Sequence, residues 1–258
     1  MIAQTRLERF EDEAVYMLTV DHSDPSVGSF KTAHKGRVEA SPFCSKTVDV
    51  CIKQGHQFDK NSHKTIAHPS QVQLTFLTAE LLTHQWANTL LDATYAHVTA
   101  VRQKLFADNP TWKPHLKVPE LRFTEAGLAI EQGEASRAKV YMMEEYIGGP
   151  FKKYIHNGSA QPLPSVQNDT VAIFLAFSQH TQYILSNGLA FVSDYQGMFI
   201  LTDPQLITNP DLGDIFAGGN IPTAFHNFCE QHVCNSFCHN FQLTPLSDFV
   251  PTQLESHN

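Results

Sequence analysis

Near the end of the chain, seven consecutive residues, His232-Val233-Cys234-Asn235-Ser236-Phe237-Cys238, carry three side chains that bind borderline-soft metals. A metal that joins them ties this part of the chain into a fixed loop. Zinc takes four ligands in a tetrahedral array, and two imidazoles with two thiolates close its shell, which is the mark of a structural rather than a catalytic site. Cys234 and Cys238 are four apart, so a helix there presents both sulfurs on one face. The fourth ligand is not local. His180, just after the apolar run Val171-Ala172-Ile173-Phe174-Leu175-Ala176-Phe177, is the leading candidate, with His226 and His239 as neighbours of the cluster. The competing reading is two buried thiols beside a surface histidine. A closed metal shell leaves the chemistry to lie elsewhere.

A chain of 258 residues can form one large domain or two lobes with a substantial core. No apolar run approaches the roughly 20 residues that span a bilayer. The start, Met1-Ile2-Ala3-Gln4-Thr5-Arg6, leads into charge rather than into a signal-peptide core. No membrane association is expected, and the expected location is cytoplasmic or nuclear. The net charge of -8 argues against a nucleic-acid partner, since phosphate backbones need clustered Lys and Arg. Cys44, Cys51 and Cys229 fall outside the metal cluster and are expected as buried or half-buried thiols, with no disulfide framework.

Apolar patterning predicts strands over 13–20 and 47–53. In the second, Val48, Val50 and Ile52 face one way and Asp49, Cys51 and Lys53 the other. Leu74, Leu77, Leu81, Leu82, Trp86 and Leu90 recur at helical intervals behind Pro69-Ser70, which predicts a packed helix over 71–105. A strand over 138–147 closes at Gly148-Gly149-Pro150. The 171–177 run reads as a helix with His180 near its C-terminal end, 189–196 as a strand, 223–229 and 234–241 as helical, and the last dozen residues as a tail. This order predicts an α+β fold of two lobes joined at about residue 146, with a ligand cleft at the joint. The N-terminal lobe would cover about 1–145, the C-terminal lobe about 146–245, and the tail 246–258.

Strand alternation places Asp194 and Gln196 on one face, and Asp203 follows in Leu201-Thr202-Asp203-Pro204. Two carboxylates and an amide carbonyl suit magnesium, which keeps phosphate oxygens and water for the rest of its shell. The plainer alternative is that Asp194 ends a strand and Asp203 starts a turn. Lys53 on a polar strand face is a natural partner for nucleotide phosphates, against which stands an exposed strand-end lysine. Glu144, late in an apolar strand at the lobe junction, could meet an adenine amino group or be a solvated edge residue.

Taken in order, these stretches resemble the atypical α-kinase family, which includes myosin heavy chain kinases, elongation-factor-2 kinase and the channel-kinases. The resemblance runs from about Gly28 to about Leu243. It comprises Gly28-Ser29-Phe30-Lys31-Thr32-Ala33, Val50-Cys51-Ile52-Lys53, Met143-Glu144-Glu145-Tyr146-Ile147-Gly148, and Phe151-Lys152-Lys153-Tyr154-Ile155-His156-Asn157. It continues through Ala176-Phe177-Ser178-Gln179-His180, Asp194-Tyr195-Gln196-Gly197, Leu201-Thr202-Asp203-Pro204-Gln205 and the terminal His-Cys-Cys motif.

The resemblance implies a kinase-like two-lobed fold, an ATP-dependent serine/threonine protein kinase, and a structural zinc held by His180, His232, Cys234 and Cys238. It implies that Lys53 and Lys31 contact nucleotide phosphates, that Glu144 and its neighbours hold adenine, and that Gln196 and Asp203 hold magnesium. Asp194 would be the base for a substrate hydroxyl, with exchange of roles between Asp194 and Asp203 left open. Two departures stand out. Lys31 replaces an arginine common in the family and cannot reproduce a bidentate fork. The late loop reads Gly218-Gly219-Asn220-Ile221-Pro222, with proline at an expected glycine. A pseudokinase or a zinc-stapled interaction domain are the alternatives.

Overall fold

The computed structural model describes residues 15–59, 64–133, 138–213, 215–216 and 218–252. The chain runs β1 (Leu18–Val27), β2 (Lys31–Val38), β3 (Asp49–Asp59), β4 (Lys64–Ala67), α1 (Ser70–Asp108), β5 (Arg122–Phe123), β6 (Ala126–Ile130), β7 (Val140–Glu145) and β8 (Lys152–Lys153). It continues through α2 (Thr170–Leu185), β9 (Ala190–Ser193), β10 (Gln196–Gly197), β11 (Ile200–Thr202), β12 (Gln205–Thr208), α3 (Pro222–Gln231) and α4 (Ser236–Asn240).

The first layer is an antiparallel sheet in the order β1-β2-β3-β7-β6, with β4 hooked onto β3. Its register follows from the alternation in β3. Val50 and Ile52 are fully buried and join Val38, Tyr141 and Met143 in one cluster. On the other face, Cys51 pairs with Glu144 and Lys53 with Met142, so both polar groups of β3 and the acid of β7 look the same way. That face is covered by α1, whose Leu77 and Leu81 pack on Val140 and Met142.

Helix α1 has 39 residues, so at 1.5 Å per residue it is about 58 Å long. Its first half serves the sheet just described. Its second half, through Ala87, Leu90, Leu91 and Val98, joins the larger core with Phe174, Phe177, Phe237 and Phe241. One rigid element therefore belongs to both cores. Helix α2 is buried nearly all round, apolar through Phe177 and then carrying the buried polar run Ser178–Gln182, and is capped by Asp169, whose carboxylate accepts from Val171 N at 2.9 Å. Each fully buried phenylalanine there contributes about 1.5–3 kcal/mol of transfer free energy.

The second layer consists of two small sheets, β5-β11-β10-β8 and β12-β9. Strand β5, from before residue 146, pairs parallel with β11 of the later part. Some expectations change. The first strand runs 18–27 rather than 13–20, with residues 13 and 14 outside the described part. The expected tail is packed as far as Thr252: Leu246 is buried, Phe249 lies against Tyr183, and Asn187 exchanges hydrogen bonds of 2.8 and 2.7 Å with Thr252. Residues 253–258 lie outside the described part. Cys51 is half-buried as expected, but Cys44 and Cys229 are exposed, and all five cysteines are free thiols. No described helix is long and apolar enough to cross a membrane.

Candidate active site and metal cluster

Lys53 lies in mid-strand and is buried, 7% exposed, which overturns the strand-end reading. Its ammonium donates to Glu144 Oε1 at 2.7 Å, to Asp203 Oδ1 at 3.3 Å and to Thr202 Oγ1 at 3.3 Å. Burial works to lower the lysine's pKa, but the Glu144 and Asp203 charges outweigh it and raise the value. Glu144 is opposed by burial and held below the usual carboxylate value by Lys53 and then His84. Its Oε2 accepts from Thr202 at 2.6 Å and from Thr124 at 3.2 Å. Glu144 is therefore not a solvated edge residue. With both oxygens engaged, its side chain holds Lys53 in this structure.

Lys31, from the start of β2, donates to Asp203 Oδ1 at 2.7 Å and also to Glu80 of α1. Burial depresses its pKa and the two carboxylates more than offset that, leaving it raised. Asp203 thus receives both lysines. Burial would raise its carboxyl, but Lys53 and Lys31 hold it well below the ordinary carboxylate range. Its side chain is 34% exposed, so this acid faces the opening.

The strand argument for Asp194 and Gln196 fails in detail. Strand β9 stops at Ser193, Asp194 takes φ 60, and Gln196 begins a separate strand. Asp203 has φ 53. Left-handed backbone at two non-glycine residues is uncommon, tolerated best by Asp and Asn, and concentrates at functional sites. The two acids still converge, by another route. Lys153 of β8 holds Asp194 Oδ1 at 2.6 Å and donates to Gln196 Oε1 at 3.2 Å, while Gln196 Nε2 reaches toward Asp203 Oδ2 at 3.5 Å. Gly197, at φ +130, allows the turn behind them, where a Cβ would strike the Ile200 carbonyl.

Sequence reasoning missed Glu80, Lys153, Thr202, Thr124 and His84. Glu80 had a signal: it occupies a buried row of α1 with Gln73, Leu77 and His84, at helical spacing, and an acid in a core row needs a cation. Gln73 in that row grips Gly55, accepting from its N at 2.9 Å and donating to its O at 2.6 Å. His84 Nε2 donates to Thr124 O at 2.6 Å.

The second constellation lies below the cleft. Ligand atoms of His180, His232, Cys234 and Cys238 all fall within 4.8 Å of one another. Cys234 Sγ is 3.8 Å from His180 Nδ1, and Cys238 Sγ is 3.7 Å from His232 Nε2. His180 Nε2 donates to the Thr244 carbonyl at 3.0 Å, which fixes the tautomer that leaves Nδ1 facing the sulfurs. Burial lowers both imidazoles to about 4, with His180 adding to the effect on His232, so both are neutral near pH 7, as metal ligands must be. His180 sits in the C-terminal half of α2, and the segment from the end of α3 through α4 brings the other three residues to it. Neither His226 nor His239 joins the group. The donor set and the fixed tautomer fit a closed tetrahedral zinc.

Two cation-bearing strands, a buried acid beneath them and a pair of acids on turned backbone opposite define the class: an α+β protein with a charge-lined cleft between its layers. The model of the alpha-kinase family matches residues 27–238. The chain belongs to the alpha-kinase family. It is 34% identical over 122 residues to transient receptor potential cation channel subfamily M member 6 of Homo sapiens, a match that covers 44% of this chain and 6% of that protein. To myosin heavy chain kinase C of Dictyostelium discoideum it is 36% identical over 106 residues, 40% of this chain and 13% of that protein. The chain therefore corresponds to a small part of these relatives. In fold it is similar to the alpha-kinase domain of myosin-II heavy chain kinase A in complex with AMP-PNP, with a TM-score of 0.59, 18% identity and coverage of 89% of this chain and 88% of that one.

Proposed function

We infer that this chain is an ATP-dependent protein kinase that transfers the γ-phosphoryl group to a serine or threonine hydroxyl. The observation that carries the reading is the meeting of Lys53 and Lys31 on Asp203, with Asp194 and Gln196 held beside them by Lys153. Phosphoryl transfer asks a protein for positioning and for neutralisation of spreading negative charge, and little covalent work. Buried Lys53 and half-buried Lys31 supply the cationic roof, and each is kept charged by its own acid, Glu144 for Lys53 and Glu80 for Lys31.

Asp203 and Gln196 are the residues that would hold magnesium, which would supply positive charge to the transferring phosphoryl group. Asp194 is the base for the acceptor hydroxyl, and its pairing with Lys153 fixes the carboxylate's direction. The zinc cluster would staple α2 to α3 and α4, so metal binding there is folding free energy. Pro222, a departure from the family's glycine loop, is accounted for as the first residue of α3, where proline is favoured. Cytoplasmic location and two lobes meeting near residue 146, with β5 reaching across to β11, complete the proposal.

The test is radiolabelled phosphate incorporation into a mixed basic protein acceptor, followed by phosphoamino-acid separation. Label on serine or threonine that disappears in Asp194→Ala, with folding intact, supports the reading. ATP-dependent thermal stabilisation without transfer would make the chain a nucleotide-binding pseudokinase.

A further inference from the structure

Lys31 is held at both ends by one face of α1. Its ammonium donates to Glu80 as well as to Asp203, and its backbone is set by the pairing of β2 with β3, where Lys31 stands opposite Gly55. Gly55 is in turn gripped by Gln73, two turns before Glu80 in the same buried row of α1. Two turns are about 11 Å of helix, so α1 spaces the anchor of the strand from the anchor of the ammonium.

The grip on Gly55 fills a break in the sheet. Strand β7 pairs with β3 as far as Lys53, and β4 pairs with it from His56 onward. At Gly55, between the two, the Gln73 amide stands in for a strand: Oε1 accepts from Gly55 N at 2.9 Å and Nε2 donates to Gly55 O at 2.6 Å. The same carbonyl accepts from His68 N at 3.1 Å. Gln73 is 1% exposed, and a buried amide is costly unless its groups are bonded, as both are here, to one residue alone. The approach is close. A Cβ on Gly55 would lie 2.6 Å from the ring of Phe76, also in α1. His56, next along β3, ties down the turn that leads into Lys31: its N donates to Phe30 O at 2.9 Å and its Nε2 to Gly28 O at 3.1 Å.

We propose that Gln73 is a positioning residue for phosphoryl transfer, which fixes Gly55 and through it places the Lys31 ammonium over Asp203, where the nucleotide phosphates arrive. The inference rests on the kinase reading above and adds a residue that acts through Lys31 alone. Removing the amide orphans the Gly55 N–H and loosens the strand opposite Lys31, so the ammonium no longer meets the phosphates at a fixed point. Misplacement by about 1 Å is worth as much as a hundredfold in rate.

The experiment uses the whole chain in a double-mutant cycle of wild type, Gln73→Leu, Lys31→Met and the double variant, with melting temperature as the check on folding. Binding is read with ATP carrying a fluorophore on its ribose, in the presence of magnesium, and transfer as kcat with KM for ATP and for the acceptor. Gln73→Leu should weaken nucleotide binding and lower kcat/KM for ATP by about tenfold or more, with KM for the acceptor unchanged. In the Lys31→Met background the same substitution should cost less than about twofold, because the group it positions is gone. A role in stability alone gives equal factors in both backgrounds, which overturns the inference, as does wild-type nucleotide binding in Gln73→Leu. Gln73→Met, unbranched and of similar length, enters the same cycle should the leucine variant not fold. Coupling seen in nucleotide binding with no transfer keeps the inference and sinks the kinase, and transfer with equal factors does the reverse. A wild type that binds no nucleotide sinks both.

Discussion

Replacing Lys53 by methionine removes one charge of a buried pair and keeps the hydrophobic bulk. Glu144 is 1% exposed, and the lysine is 2.7 Å from it. Stripping one partner from such a pair strands a charge in low dielectric and costs about 3–5 kcal/mol. For a protein of this size 1 kcal/mol moves the melting temperature by about 2–4 °C, so Lys53→Met should lower it by about 6–20 °C. Thr202 and Thr124 continue to donate to Glu144 Oε2, which places the loss toward the lower end. The diagnostic arm is the double variant Lys53→Met/Glu144→Gln. With no charge left behind, it should recover more than half of the lost stability, as neutral replacement of a buried pair does. Thermal unfolding followed by near-ultraviolet circular dichroism reads both. A single variant within about 1 kcal/mol of wild type, or a double variant no better than the single, would refute the reasoning.

Asp194→Asn should lower transfer by about 10²–10⁴ in kcat, the usual worth of a positioned base, while melting falls far less than in Lys53→Met because Lys153 is 28% exposed and keeps water and Gln196 as partners. Purified protein should carry one zinc by elemental analysis, and a strong chelator or Cys238→Ser should lower the melting temperature, with no bound metal as the contrary result. Glu144 sits below its usual 4.5 in the fold, so its contribution is present above that value and is lost as pH falls through the lower folded value. Acid unfolding monitored below about pH 4 should therefore be shallower in Glu144→Gln than in wild type, and an unchanged acid limb would contradict the pairing.

Much of this was legible beforehand because it is written locally. Alternation in 47–53 gave the two faces of β3 and set Lys53 opposite Val50 and Ile52. The spacing of Cys234 and Cys238 announced a shared helix face, and the family resemblance chose His180 over His226 and His239. The failures concern partners far apart in sequence. Lys53 and Glu144 are 91 residues apart, and Lys31 and Asp203 are 172. No periodicity encodes which buried acid meets which cation. Neither the pairing of Glu144 with Lys53 nor that of Lys153 with Asp194 is visible in the spacing. Asp194 and Gln196 were joined by a strand rule that the left-handed backbone at Asp194 breaks.

The amino-acid order alone determined most of the elements and the ligand types, since these depend on short-range spacing and on composition. Only the folded chain decided the pairings. Antiparallel register laid Glu144 beside Cys51 and Lys53, and a single long helix carried Glu80 to Lys31. Burial then turned solvated ions into fixed pairs, because charges withdrawn from water must find one another.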